Sequence, residues 1–293
     1  MPYIYLSKVN FNSRIYDVHD KKLSLEKILD ELYENINDNS KSYKKDSVCR
    51  YNDSLGKEHK KEVQEEYLFN KIKKDESEKI ITGDLVRINP RVISEFDKEK
   101  KDSVLIERNE STEIYFYFDV KNELICFCTR NKFGYNQFNE AFKNLLNLNV
   151  KGYGFEVFLK KDKGKVEEGI KRFKRVDKVV GTIIPPNANG SDIEELIKDS
   201  SMYKAAKIKK ARVEYEASTE SSEGLDMRAP IMQQLVKSAS NGYGDLNIHG
   251  RTNDDSDEVF RSNKDAAIST TIEEDYTEED FIQRVKKFII KFV

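Results

Sequence analysis

Cysteine is scarce in this chain: three residues among 293, Cys49, Cys126 and Cys128. An odd count argues against a disulfide framework and suits a reducing cytoplasm. Cys126 and Cys128 stand two apart in the apolar run ELICFCTR, so on a strand they share a face and read as small buried hydrophobes. A zinc site would need two more ligands, and the three histidines, His19, His59 and His249, are scattered. Signatures of catalysis are missing too. There is no G-x-x-x-x-G-K-S/T phosphate loop, no G-x-S-x-G elbow and no H-E-x-x-H pair. GYGFEV and NGYGDL each offer a G-x-G, but neither sits between a strand and a helix as a dinucleotide site requires. No cofactor is expected.

Long apolar runs are also lacking. None approaches the ~18 residues that cross a bilayer, and the opening MPYIYLSKVNFNSR has no basic segment followed by an apolar one. The expectation is a cytoplasmic protein with no direct membrane insertion, whose link to any membrane would come through a partner.

What is present is charge and aromatic bulk. Charged residues make up 35% of the chain and mean hydropathy is -0.73, yet 16 Phe and 15 Tyr can build a core. Tyr3 to Val9 alternates like a strand. Leu25, Ile28, Leu29, Leu32 and Ile36 form a helical stripe behind a Ser24 N-cap. The dense mixed charge of residues 57–79 reads as a solvated helix or a mobile excursion. Strands are expected from Ile80 to Ile88 and from Val104.

The clearest unit is 113–148. EIYFYFD and ELICFCTR form a hairpin whose near-continuous apolar content implies burial on both faces or a central place in a sheet. The helix after it packs on the hairpin through Phe138, Phe142 and Leu145. Beyond it the pattern gives a strand at GYGFEVFLK, a basic helix at EEGIKRFKRV and a strand from Val179 to Pro185-Pro186. Ser191 and Glu194 read as a capping box. A long strand is expected from Ile208, then a helix stopped by Asn241-Gly242 and a strand YGDLNIHGR. Thr277 and Asp280 open a last helix. The fold class is α+β, a largely antiparallel mixed sheet with packed helices, in an N-terminal lobe (1–150) and a C-terminal lobe (151–293).

Charge is unevenly spread. Lys160 to Lys178 holds nine Lys/Arg against four Asp/Glu, Lys198 to Arg212 six against one, and Asn253 to Asp280 two against eleven. Basic surface attracts phosphate backbones. The candidate nucleic-acid contacts are Lys171, Arg172, Lys174 and Arg175, expected on a helix, and Lys207, Lys209, Lys210 and Arg212, expected at the start of a strand. Folding could bring the two stretches together; a merely solvated face is the alternative. A nuclease would draw on Glu156 with Lys160, or on Glu214 with Glu216. An adaptor or inhibitor would use the acidic 253–280 segment as a phosphate mimic. A strand pair at 208–217 and 243–251 offers an edge for a second copy.

The block IYFYFDVKNELICFCTRNKFGYNQFNEAFKNLL, with ARVEYEASTE, ASNGYGDLNIHGR and the terminal EDYTEEDFIQRVKKFI, resembles an uncharacterised prokaryotic domain family found in phage-defence settings. More distantly, the hairpin is similar to the DNA-binding subunits of the Rex exclusion and Kiwa systems. The resemblance spans about residues 80 to 290. It implies a non-enzymatic, sequence-tolerant binder of duplex DNA, a homodimer, acting in abortive infection beside a membrane-protein partner.

Overall fold

A computed structural model of the chain describes residues 1–53, 56–99, 101–130, 132–187, 201–218 and 223–292. The expected capping box at Ser191 and Glu194 lies outside them. The fold is α+β. In chain order its strands are β1 (Tyr3–Phe11), β2 (Tyr43–Asn52), β3 (Glu58–Asp75), β4 (Ile80–Asp97), β5 (Asp102–Asp119), β6 (Leu124–Cys128), β7 (Phe155–Leu159), β8 (Phe173–Ile183), β9 (Ala211–Glu216), β10 (Gly244–Thr252), β11 (Asp257–Arg261) and β12 (Ser269–Thr271).

The larger sheet runs β12-β1-β6-β5-β4-β3-β2, with β7 also on β1. β12 pairs with Tyr3–Tyr5 and β7 with Ser7–Phe11, end to end along one side of β1, while β6 takes the other. The β5–β6 hairpin forms as its sequence implies, with Phe116 opposite Phe127. Its apolar content is continuous because both faces are covered. On one face the Tyr135–Asn149 helix sets Phe138 against Phe127, ring centroids 3.8 Å apart, and Phe142 edge-on to Phe116 at 5.3 Å. The Leu25–Asn35 helix adds Ile28, Leu32 and Tyr33, and its Ser24 hydroxyl accepts from the Lys27 N–H. On the other face Ile4, Leu6, Tyr115, Tyr117, Cys126 and Cys128 meet Phe281, Val285 and Ile289 of the terminal Glu278–Ile289 helix. That helix opens on the Thr277–Asp280 capping box. Cys49, Cys126 and Cys128 are buried free thiols.

The smaller sheet runs β11-β10-β8-β9, all antiparallel. The Lys163–Lys171 and Pro230–Ser240 helices cover one face, where Val166, Val179, Leu235, Leu246, Ile248 and Phe260 form a second core. Gly169 lets its helix lie against Phe260: a Cβ there would be 2.3 Å from the Phe260 ring.

Several expectations need correction. Residues 57–79 are neither helix nor excursion. They hold β3, paired with β2 on one side and β4 on the other. The strands expected at 104 and 113 are one strand, β5, and β2 carried no sequence expectation at all. The basic helix expected over 167–176 ends at Lys171, and β8 begins at Phe173, because Val176 is needed in the second core. The strand expected from Ile208 begins at Ala211. The 253–280 segment contributes β11 and β12. Finally, 208–217 and 243–251 are not a strand pair: β8 lies between β9 and β10.

Candidate nucleic-acid interface

The two basic stretches sit at opposite ends of β8. Lys171 closes the Lys163–Lys171 helix, Arg172 caps it, and Lys174 and Arg175 lie on the strand itself. Lys207, Lys209 and Lys210 lie in the turn before β9, and Arg212 is on β9 opposite Thr182. From Arg175 to Thr182 is roughly 20 Å at strand spacing. The fold therefore does not merge the stretches into one patch.

In the first stretch, charge is partly consumed. Lys174 Nζ is 3.2 Å from Asp255 Oδ1, and Arg175 Nε is 2.6 Å from Asp177 Oδ1. Lys171 and Arg172 are exposed.

The second stretch is anchored and surrounded by further cations. The short Ile15–His19 helix holds it. The Tyr16 hydroxyl donates to the Ile208 carbonyl at 2.6 Å, and burial pushes that phenol up to about 12, so it remains a donor at neutral pH. His19 Nε2 donates to the Pro186 carbonyl at 2.9 Å, while burial holds the imidazole below its ordinary value. Carboxylates here are shared between lysines. Glu156 Oε1 is 3.0 Å from Lys210 Nζ, and its other oxygen is 4.0 Å from Lys143 Nζ. Asp20 takes both Lys204 and Lys22, and its carboxyl is held low, first by Lys204 and then by Lys22. Lys207, Lys209 and Arg212 are exposed, with no ion pair among the described residues. Lys143, Lys204 and Lys22 were not singled out in sequence; Lys204 is close in the chain, and the fold places Lys143 and Lys22 beside the turn.

A second charged group is buried where the two sheets meet. Glu123, 2% exposed, accepts from Lys8 Nζ at 3.2 Å and from Asn187 Nδ2 at 2.7 Å. Burial raises its carboxyl, and Lys8 and Asn187 oppose that. Lys161 Nζ donates to the Gly244 carbonyl at 2.6 Å and to Asp245 Oδ1 at 2.7 Å, and burial lowers its ammonium. Asn10 Nδ2 reaches the Gly242 carbonyl at 3.0 Å. These bonds tie β1 and the β5–β6 turn to the start of β10 and fix the second sheet's position. A buried lysine has no sequence signal here, since Lys160 and Lys161 look alike.

The carboxylates considered for a metal are spoken for. Glu214 and Glu216 both contact Lys178, and Glu156 is shared as described. Among the described residues no three His, Cys, Asp or Glu side chains converge to hold a metal ion. In the acidic segment, Asp255 and Asp257 pair with Lys174 and Arg251, Asp265 accepts from the Arg261 N–H, and Glu278 pairs with Lys73. No helix among the described residues is long and apolar enough to cross a membrane.

The chain belongs to the family described as a domain of unknown function, DUF4747, whose pattern matches residues 7–290. No curated protein matches it.

Proposed function

We propose that this DUF4747 chain is a non-enzymatic, sequence-tolerant binder of duplex DNA serving in phage defence by abortive infection. The observation that carries the reading is the turn before β9. Lys207, Lys209 and Arg212 face solvent with no ion pair among the described residues, and beside them Lys143, Lys204, Lys210 and Lys22 divide Glu156 and Asp20 between them. Such a surface offers several point charges to phosphates, which position a duplex without reading bases. Lys171, Arg172, Lys174 and Arg175 form a separate outlying contact at the other end of β8. The defence setting and a membrane-protein partner rest on the family resemblance alone.

The test is a titration of AT-rich and GC-rich duplexes at two salt concentrations. Affinities should agree between the sequences within about threefold, and log K should fall with log salt with a slope of about -0.9 per neutralised phosphate. Strong preference for one sequence, or binding indifferent to salt, contradicts the reading.

A further inference from the structure

β5 is covered along only part of its length. Phe116 to Asp119 pairs with β6, but from Asp102 to Glu110 its outer edge pairs with nothing among the described residues. On the other side, β4 leaves β3 after Ile88. Residues 89–97 and 102–110 therefore continue as a two-stranded ladder that β3 touches through the Lys61–Glu107 ion pair, and a ladder of two strands is by itself marginal in water. The ribbon also exposes apolar side chains: Phe96 is 64% exposed, Leu105 43% and Ile93 37%. Two of its rungs carry like charges, Arg91 opposite Arg108 and Asp97 opposite Asp102. Like charges in that position are destabilising. Glu110, 3.3 Å from Arg91, and Glu95, 2.6 Å from Arg108, offset the first rung in part.

We infer that this edge docks a second copy of the chain, the two β5 strands adding antiparallel about a two-fold axis at Leu105. Leu105 then faces the partner's Leu105, and Val104 faces the partner's Ile106. Arg108 faces the partner's Asp102, so the Arg91–Arg108 rung continues into the partner's Asp102 and the partner's Asp97. The Arg91–Arg108 rung thereby gains a carboxylate on its open side, and each open row of N–H and C=O groups is satisfied. Neighbouring registers lack this match. An axis at Ile106 sets Asp102 against the partner's Glu110, and one at Val104 sets it against the partner's Ile106. In the matched register the tip of the partner's ribbon comes level with Thr112, at the mouth of a cleft of about 970 Å³ lined by Glu110, Thr112, Arg130 and Lys132. The docking edge is thus β5, not the 208–217 and 243–251 strands, and it stands independently of the DNA-binding reading.

Light scattering of the full chain at micromolar concentration should give about twice the 34.2 kDa of one copy. Asp102→Arg or Arg108→Asp alone should weaken self-association by about tenfold, and the two together should restore it, because the cross-strand pair is re-formed. Leu105→Cys should crosslink on mild oxidation, since directly opposed residues have Cα atoms about 4.5–5.5 Å apart. Ile93→Cys, one strand further in, should not. A monomer at micromolar concentration overturns the inference, and so does a dimer that the charge reversals leave unchanged.

Discussion

The two ends of β5 are one continuous strand in two environments. From Ile114 to Asp119 every residue is buried, between the Tyr135–Asn149 helix on one face and the terminal helix on the other. From Asp102 to Glu110 none is buried, although Val104, Leu105 and Ile106 are as apolar as the residues inside. Local preference for the extended chain is the same in both halves. What differs is whether another element lies over the strand, so stability should be concentrated in the covered half and association in the open one.

The covered half should dominate the stability of the chain. Phe142→Ala removes a ring packed against Phe116, Phe118 and Phe138 and should cost about 3–5 kcal/mol in denaturant unfolding. A loss below about 1 kcal/mol would erase the contrast between the halves.

A buried ion pair beside that core sharpens it. Glu65 accepts from Arg87 at 2.8 Å and from the Tyr67 hydroxyl at 2.6 Å, both carboxylate and guanidinium being under a tenth exposed. Burial alone would raise the Glu65 carboxyl, but Arg87 and Tyr67 outweigh it and hold it below its ordinary value of 4.5. A lowered folded-state value means stability that is complete above pH 4.5 and lost as pH falls through the folded-state value. Glu65→Gln should cost about 3 kcal/mol at neutral pH and flatten that acid limb. An unchanged acid limb would show that the pair does not contribute to it.

Smaller effects should follow with distance from the core. Thr277→Ala removes the hydroxyl that accepts from the Asp280 N–H, and should cost about 1 kcal/mol. Leu105→Ala, on the open half, should change unfolding of the isolated chain by less than about 0.5 kcal/mol while weakening self-association. If it destabilises the chain as much as Phe142→Ala does, the ribbon is part of the core and the comparison fails.

The covered half was legible in sequence because its helices are periodic. Phe138, Phe142 and Leu145 recur at helical spacing, and the apolar run of the hairpin points to burial on both faces or a central place in a sheet. β3 was not legible, since neither of its faces is apolar along its length. Its order comes from pairing with β2, where Lys44 meets Glu66 and Lys45 meets Glu65, and such cross-strand partners are invisible in a single segment. The boundary at Phe173 was missed for a related reason: an apolar residue beside four cations fits either a helix edge or a strand start, and only the second core decides. The candidate interface was half legible. Charge density pointed to Lys207, Lys209, Lys210 and Arg212, but their separation from Lys171 to Arg175 follows from β8 running between them. The lysines that surround the turn, Lys143 and Lys22, come from distant parts of the chain.

The most direct test of the account compares charge reversals at the two ends of β8 in duplex-DNA titrations across salt. Lys207→Glu, Lys209→Glu and Arg212→Glu together should weaken binding on every sequence and reduce the salt slope by about 0.9 for each phosphate no longer neutralised. Lys171→Glu with Arg172→Glu should have the smaller effect. Binding by the first variant equal to that of the unsubstituted chain at every salt concentration would contradict the account, and the turn before β9 would then be a solvated surface only.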